Sequence, residues 1–374
     1  MGGSIRLGRL FGIAVQIHFT WFIAVWVISW SLAQGVFPQQ IPGLPSGTYW
    51  TMGVAGALLL FASVLVHEFG HALTARTLGI PTRSITLFLF GGVAQIAREP
   101  ERPAHEFWVA IAGPVTSVAL AGLFWFATPR AEPVPATALM GYLSWVNLLL
   151  AGFNMIPAFP LDGGRVLRAI LWNFLGLERA TRVTTTLGHA TAAAFVVLGV
   201  FAIFTGRVIN GLWLVLIGWF LDQGAGASYQ QLVLRNALRG VRVEDIMTRD
   251  VIALDASLTI EDAVSNYFLP HKHGGYPVTW GDRLVGILTL HDVKQVPRDR
   301  WNQTRVRDAM TPIAQVKTVR PGTGAYDALA RMVQAGVGRL LVVNADGELA
   351  GILTRSDLMH LIRLRTELGA DVPA

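Results

Sequence analysis

A short run of ionisable residues, His67-Glu68-Phe69-Gly70-His71, lies inside a long apolar stretch of the chain. Side chains four residues apart on a helix point to the same side, so the imidazoles of His67 and His71 converge. Two neutral imidazoles at this spacing can bind one Zn²⁺, and Glu68 beside them is the expected general base toward water. Because ionisable groups are costly within an apolar span, the location favours a functional site over a buried His–Glu cluster that only packs helices.

A catalytic zinc site needs a third protein ligand and one open position. The chain contains no cysteine, so this ligand must be a histidine or a carboxylate. Asp162 is the strongest candidate, because Pro157 and Pro160 break the preceding helix and two glycines follow. A carboxylate at such a broken helix end can turn back toward the histidines. The alternative is that Asp162 is an ordinary residue of a helix-end turn.

The composition divides the chain into two parts. Hydrophobic residues make up 52% of the 374 residues and charged residues only 14%, whereas soluble globular proteins carry about 25% charged residues. All lysines lie after residue 224, which indicates a membrane-embedded first part and a soluble second part. The net charge of +6 does not indicate nucleic-acid binding, because no basic stripe with interleaved aromatic residues is present.

Six apolar segments are long enough, or nearly so, to span a membrane. The distribution of arginine places the loop 35–50 outside and the loops 78–105 and 159–186 inside, so that both chain ends are cytoplasmic. Residues 1–10 are interpreted as a cytoplasmic tail that leads into the first span. Four spans with two re-entrant segments are the alternative. The predicted spans are 12–34, 51–77, 106–128, 137–158, 187–205 and 209–224.

The loop 83–98 is apolar, rich in β-branched residues and interrupted by Gly91-Gly92. This pattern predicts a short β-hairpin that dips toward the membrane, and a surface loop with one buried face is the alternative. An exposed hairpin edge could bind an unwound substrate segment by strand addition. We therefore expect changes to this edge to impair cleavage and to leave zinc binding unchanged.

The chain resembles the site-2 protease family of intramembrane metalloproteases, and the resemblance covers about residues 5–224. The matching motifs occur in the family's order. They are His67-Glu68-x-x-His71, Gly91-Gly92, Ala112-Gly113-Pro114 and Asn154-x-x-Pro157-x-x-Pro160-x-Asp162-Gly163-Gly164. After the Gly-Pro pair the chain has Val115-Thr116-Ser117 where many relatives have Asn, and this departure affects only an expected helix contact.

The resemblance implies one Zn²⁺ per chain and hydrolysis of a peptide bond in or near a transmembrane segment, close to the cytoplasmic side. It assigns the metal to His67, His71 and Asp162, and the activation of water to Glu68. It also implies that Asn154 helps to hold the substrate or the oxyanion, although an Asn within a span can instead hydrogen-bond a neighbouring helix. The glycines of the hairpin, Gly91 and Gly92, are assigned to the same substrate region.

Residues 241–365 repeat internally. The segment from Val243 to Thr248 is similar to the one from Val306 to Thr311, and each copy predicts the order β-α-β-β-α. This half resembles a CBS-domain pair, a module that often binds AMP, ADP or ATP and often dimerises. The resemblance places ribose contacts at two aspartates and phosphate contacts at two threonines, and helix capping is the alternative role of the aspartates. These residues are Thr289, Asp292, Thr354 and Asp357.

The predicted fold class is a polytopic α-helical membrane domain, with about six transmembrane helices and a short re-entrant β-hairpin, followed by an α+β CBS-domain pair. The predicted bounds are 1–224 for the protease domain, 225–240 for a linker, 241–300 for the first repeat and 301–374 for the second repeat and tail. The predicted function is zinc-dependent intramembrane proteolysis in the plasma membrane, modulated by adenine nucleotide. The alternatives are a nucleotide-gated metal or ion transporter and an inactive scaffold.

The expected partners are the lipid bilayer, a transmembrane protein substrate and a second copy of the chain, bound through the CBS pair. Substrates that the family resemblance suggests are an anti-sigma factor, the precursor of a membrane-bound transcription factor or leftover signal peptides. No nucleic-acid partner is expected.

Overall fold

The computed structural model of the protein describes residues 4–96, 100–128, 134–271, 273–281 and 283–368. The chain forms two compact units, Met1–Gln230 and Gln231–Ala374. The first is mostly helical, and the second is an α+β structure with two small sheets.

Within the described residues, six helices are long and apolar enough to cross a membrane. The first of them contains a π-helical stretch, Leu32–Val36. The prediction of a multi-pass helical membrane domain is therefore confirmed. The six helices are α1 (Thr20–Gln40), α2 (Ser46–Thr77), α3 (Pro103–Ala127), α4 (Pro135–Asn154), α5 (Asp162–Phe204) and α6 (Val208–Ala237).

Three boundaries differ from the predicted ones. Residues 4–18 are two strands, β1 (Ser4–Leu10) and β2 (Ile13–His18), and not a tail with the start of a span. Helix α5 includes residues 162–186, which were predicted as a loop, and bends at Gly176, where φ is +78°. Helix α6 continues to Ala237, so most of the predicted linker is helical. The apolar pattern marks the hydrocarbon-facing part of a helix, whereas backbone hydrogen bonds continue beyond it.

The predicted hairpin is confirmed as β3 (Thr82–Phe88) paired with β4 (Gly91–Ile96). It belongs to a four-stranded sheet of order β1-β2-β3-β4, in which β2 and β3 are parallel. The apolar face of this sheet packs on the histidine-bearing part of α2. The buried residues of that contact are Ile13, Val15, Phe69, Ala72 and Ile85.

The second unit contains two similar repeats. The first repeat has β5 (Leu254–Asp255), β6 (Gly275–Trp280) and β7 (Arg283–Thr289), and the second has β9 (Thr318–Val319), β10 (Arg339–Val343) and β11 (Leu349–Thr354). Each repeat also lends a short segment to the other, because β8 (Thr311–Pro312) pairs with β7, and Thr248 bridges Ile352. The helices are α7 (Val243–Ile246), α8 (Ile260–Ala263), α9 (Leu269–His271), α10 (Leu290–Gln295), α11 (Val306–Ala309), α12 (Ala325–Ala335) and α13 (Arg355–Leu368).

Candidate metal centre

Three side chains from two helices converge at one point in the first unit. The Nε2 atoms of His67 and His71 on α2 are 3.2 Å apart, and the Oδ2 atom of Asp162 is 3.2 Å from the former and 3.1 Å from the latter. The two imidazoles are buried and Asp162 is half-buried. The four-residue spacing on α2 and the break before α5 thus bring together the three predicted ligands.

Hydrogen bonds on the far side of each ring fix the orientation of the imidazoles. Nδ1 of His71 lies 2.7 Å from the carbonyl oxygen of Val109 on α3, and this oxygen can only accept, so Nδ1 must donate. Nδ1 of His67 lies 2.8 Å from Oγ of Ser117, also on α3. In neutral His71 the lone pair of Nε2 therefore points at the Asp162 carboxylate. Such partners behind a ligand set the ring orientation and raise its basicity.

The arrangement fits a tetrahedral Zn²⁺ site. A lone pair of His71 faces a carboxylate oxygen at 3.1 Å, and a cation between two acceptors relieves their repulsion. Ligand atoms bound to zinc at about 2.0 Å lie about 3.3 Å apart in tetrahedral geometry, close to the 3.1–3.2 Å separations of His67, His71 and Asp162. Two nitrogen donors and one oxygen donor also form a donor set that catalytic zinc sites use, with a fourth position left open.

The predicted base, Glu68, is anchored by the hairpin. Its Oε2 accepts a hydrogen bond of 3.0 Å from the backbone N–H of Ala94 on β4. A Cβ atom on Gly92 would lie 2.6 Å from Cγ of Glu68. Only glycine at this position therefore lets the strand come so close to the Glu68 side chain. The hairpin therefore holds Glu68 next to the three converging ligands.

Glycine is also required opposite the histidines. A Cβ atom on Gly113 of α3 would overlap the Nε2 atoms of both His67 and His71. This close approach allows α3 to present the partners of both imidazoles, the Val109 carbonyl and the Ser117 hydroxyl. The Gly-Pro motif in the middle of the span thus has a steric role at the site.

The remaining predicted residues lie at the end of α4, at the start of β4 and in the first turn of α5. Asn154 is the last residue of α4 and is half-buried, and its expected contact with the substrate is untested. Gly91 begins β4 with a φ of +130°, a conformation that favours glycine, and open space surrounds it. The glycines after Asp162 pack on the backbone of the preceding loop, Gly163 against Met155.

Sequence reasoning underestimated Ser117. Its departure from the family pattern was interpreted as affecting only a helix contact, whereas its hydroxyl reaches His67. The available signal was its spacing of four residues from Gly113, which places both residues on one face of α3. The role of the Val109 carbonyl could not be predicted from residue type, because any residue supplies a backbone carbonyl.

The second unit contains a cavity of about 420 Å³ between the two repeats. Thr354 and Asp357 line it, whereas Thr289 and Asp292 do not. Both aspartates cap helices, as the alternative interpretation predicted. Oδ2 of Asp357 accepts from the N–H and hydroxyl of Thr354, and Asp292 makes the same bonds with Thr289.

The cavity also contains a cationic group. Arg339 lines it, and a Cβ atom on Gly274 would lie 2.7 Å from the guanidinium, so this group rests on glycine backbone. Burial lowers the pKa of Arg339 from its usual value, and a guanidinium still remains cationic at neutral pH. The size lies in the range of small-ligand sites, and the lining offers a cation, hydroxyls and a carboxylate.

Comparison with known proteins relates both units to described families. The model described as Peptidase family M50 matches residues 55–131 and 128–198, and the CBS domain model matches residues 243–299 and 306–364. A site-2 protease structure from Methanocaldococcus jannaschii is 29% identical and covers 60% of this chain and 95% of its own, with a TM-score of 0.42.

Two relatives align over nearly the whole chain. The protein named zinc metalloprotease MJ0392, from Methanocaldococcus jannaschii, is 29% identical over 98% of this chain and 99% of its own length. The protein named zinc metalloprotease Rip3, from Mycobacterium tuberculosis, is 35% identical over 97% of this chain and 93% of its own. Because that match includes both units, the chain belongs to the site-2 protease family, peptidase family M50, as a multi-pass membrane metalloprotease with a C-terminal CBS-domain pair.

Proposed function

We propose that the first unit hydrolyses a peptide bond in a transmembrane segment of a protein substrate, with one Zn²⁺ held by His67, His71 and Asp162. The convergence of these three ligand atoms beside Glu68 is the observation that carries the proposal. Zn²⁺ held there supplies a Lewis acid that polarises a carbonyl and acidifies water.

The chain's own groups supply proton transfer and substrate positioning. The Glu68 carboxylate takes a proton from the attacking water and passes it to the leaving amine. The Ala94 N–H keeps one carboxylate oxygen fixed, so the other is free to turn toward the reacting bond. Asn154, at the end of α4, offers its amide to the substrate backbone or to the developing oxyanion.

Strand β4 is the proposed binding edge for the substrate. It is the last strand of the sheet order β1-β2-β3-β4, and its Ala94 N–H points off the sheet toward Glu68. A substrate helix must unwind before cleavage, and its freed backbone groups then need hydrogen-bond partners. Pairing with this edge would supply them next to the base, and Gly91, which has open space around it, would leave room for the substrate backbone.

The proposed orientation places the termini and the CBS pair in the cytoplasm of a cell bounded by this plasma membrane. His67 precedes Arg76 by nine residues, about 14 Å along a helix at 1.5 Å per residue, so the metal centre lies inside the bilayer near its cytoplasmic face. A membrane-bound transcription factor precursor or an anti-sigma factor, cut near this face, would release a cytoplasmic fragment.

Metal removal tests the proposed activity. The full chain is reconstituted in vesicles with a panel of fluorescent transmembrane peptides, and cleavage is measured before and after treatment with a zinc chelator. We expect cleavage to fall to background on chelation and to return when Zn²⁺ is added. Cleavage that survives complete loss of zinc, or no cleavage of any peptide by the zinc-loaded chain, would contradict the proposal.

We further propose that the cavity of the second unit binds an adenine nucleotide. In this assignment Asp357 accepts from the ribose hydroxyls, and Arg339 and Thr354 contact the phosphates. Thr289 and Asp292 do not line this cavity, so the nucleotide proposed here contacts Thr354 and Asp357. Binding would modulate cleavage if the nucleotide binds two conformations of the protease with different affinity.

The nucleotide site is tested by titrating the full chain with AMP, ADP and ATP in a calorimeter. We expect at least one of these nucleotides to bind. The variant Asp357→Ala should weaken that binding at least about tenfold, since a charged hydrogen bond contributes about 1.5–3 kcal/mol. Asp262→Ala is the matched control, because Asp262 makes the same capping interaction with Thr259 outside the cavity. Equal weakening by both variants would assign Asp357 a capping role only.

The proposed assembly is a homodimer formed through the CBS pairs. Its test is the mass of the detergent-solubilised chain by light scattering, and a monomer at working concentration would refute it.

A further inference from the structure

Two buried charged residues near the metal centre take no part in the chemistry described above. Glu106, in the first turn of α3, is 0% exposed, and Arg168 on α5 is 8% exposed. Nε of Arg168 donates a 2.7 Å hydrogen bond to Oε1 of Glu106, and Nη2 donates to the same oxygen. Ionisable residues in membrane-spanning segments are costly and usually serve function.

At one end the ion pair holds the segment that carries the third metal ligand. Arg168 lies six residues after Asp162 on the same helix. Its guanidinium carbon also lies 4.8 Å from the ring centroid of Phe159, which precedes Asp162 by three residues. Arg168 therefore belongs to the helix that follows Asp162, and its guanidinium contacts the chain that precedes it. The close packing of Gly163 on Met155 is internal to this segment, so it does not tie Asp162 to the histidines.

At the other end the pair reaches the turn that orients His71. Glu106 lies three residues before Val109 on α3, so the two residues share one face of that helix. The Val109 carbonyl accepts the hydrogen bond from Nδ1 of His71. One buried ion pair thus joins the turn that sets His71 to the segment that presents Asp162.

We propose that Glu106 and Arg168 are positioning residues that fix the Asp162 carboxylate at coordination distance from His67 and His71. This inference rests on the proposed zinc site. The break before α5 lets Asp162 turn toward α2, so the position of its carboxylate depends on what holds the start of α5 in place. A charged pair with defined geometry between α3 and α5 restrains that start, which apolar contacts do less sharply.

The test compares metal binding by the full chain in detergent, without reference to cleavage. The variant Glu106→Leu/Arg168→Met replaces both charges of the pair by apolar groups of similar size, a change that is often neutral for stability. It leaves Arg165, whose Nε lies 4.0 Å from the same Glu106 oxygen and whose side chain is partly exposed, as the remaining cation. We expect its affinity for Zn²⁺, from competition with a chelator, to fall about 10–100-fold, as when partners behind a metal ligand are lost. We also expect the visible absorption bands of its Co²⁺-loaded form, which report ligand geometry, to change.

A second variant keeps the inference testable if the double variant does not fold. Glu106→Asp retains the charge but shortens the side chain, and it should change the Co²⁺ spectrum and lower metal affinity. The matched control is Glu178→Gln, which removes the exposed Glu178–Arg182 pair within α5. This variant should change neither the Co²⁺ spectrum nor the metal affinity. Wild-type affinity and spectrum in a folded double variant or in Glu106→Asp would overturn the inference. Failure of the wild-type chain itself to bind Zn²⁺ or Co²⁺ would instead refute the proposed metal site.

Discussion

Glu68→Gln is expected to abolish cleavage while the protein keeps its zinc. The amide has nearly the same size as the carboxylate, and its oxygen can still accept the hydrogen bond from Ala94. It cannot take a proton from water, and loss of a general base lowers rates by about 10²–10⁴-fold. The measurement is cleavage of a transmembrane peptide by the reconstituted chain, together with metal analysis of the same preparation.

The control for this prediction is Glu101→Gln, which removes an exposed carboxylate just before α3 and should leave both activity and zinc content unchanged. The result also separates a protease from a transporter or a scaffold, neither of which needs a base beside the metal. Cleavage by Glu68→Gln within tenfold of the wild-type rate would exclude Glu68 as the base. Loss of zinc from this variant would instead make Glu68 part of the metal-binding set.

Gly113→Ala is expected to remove zinc from the site. The new methyl group would overlap Nε2 of both His67 and His71, the atoms that we assign to the metal. Either the imidazoles turn away or α3 moves outward, and the second response also breaks the hydrogen bond that His71 donates to the Val109 carbonyl and the one between His67 and Ser117. Because loss of such supporting contacts alone lowers metal affinity by about 10–100-fold, we expect at least a 100-fold loss and no detectable cleavage.

A matched control exists on the same helix. Gly122 on α3 has open space around it, so Gly122→Ala adds the same methyl group without a steric conflict. Zinc affinity from chelator competition, measured alongside thermal stability in detergent, should be unchanged in this variant. If Gly113→Ala binds zinc as tightly as the wild-type chain, the close approach of α3 to the histidines is not needed for the metal site.

Much of the candidate site could be inferred from residue types and local spacing. The four-residue interval between His67 and His71 requires only helix geometry, which is local. Asp162 could be proposed because prolines break the helix before it. The CBS repeats were recognisable because each copy contains its own strands and helices. The β3–β4 hairpin was also predictable, since Gly91-Gly92 interrupts a β-branched stretch.

Contacts between segments far apart in the chain were harder to predict from the sequence. Strands β1 and β2 were missed because their apolar residues run into those of α1, and only pairing with β3 selects the extended conformation. The helical start of α5 was missed because its arginines follow the pattern of a cytoplasmic loop, and that pattern reports charge rather than backbone hydrogen bonding.

Residue types and local spacing were enough to predict which donors bind the metal, which carboxylate acts as the base and which segments are apolar enough to cross the membrane. These properties follow from side-chain chemistry and from periodicities within one element. Only the folded chain shows how closely α3 approaches the histidines, which groups orient each imidazole and where the Glu106–Arg168 pair joins two helices. Such features depend on the distance between segments far apart in the chain, and close packing fixes that distance only after the whole unit has folded.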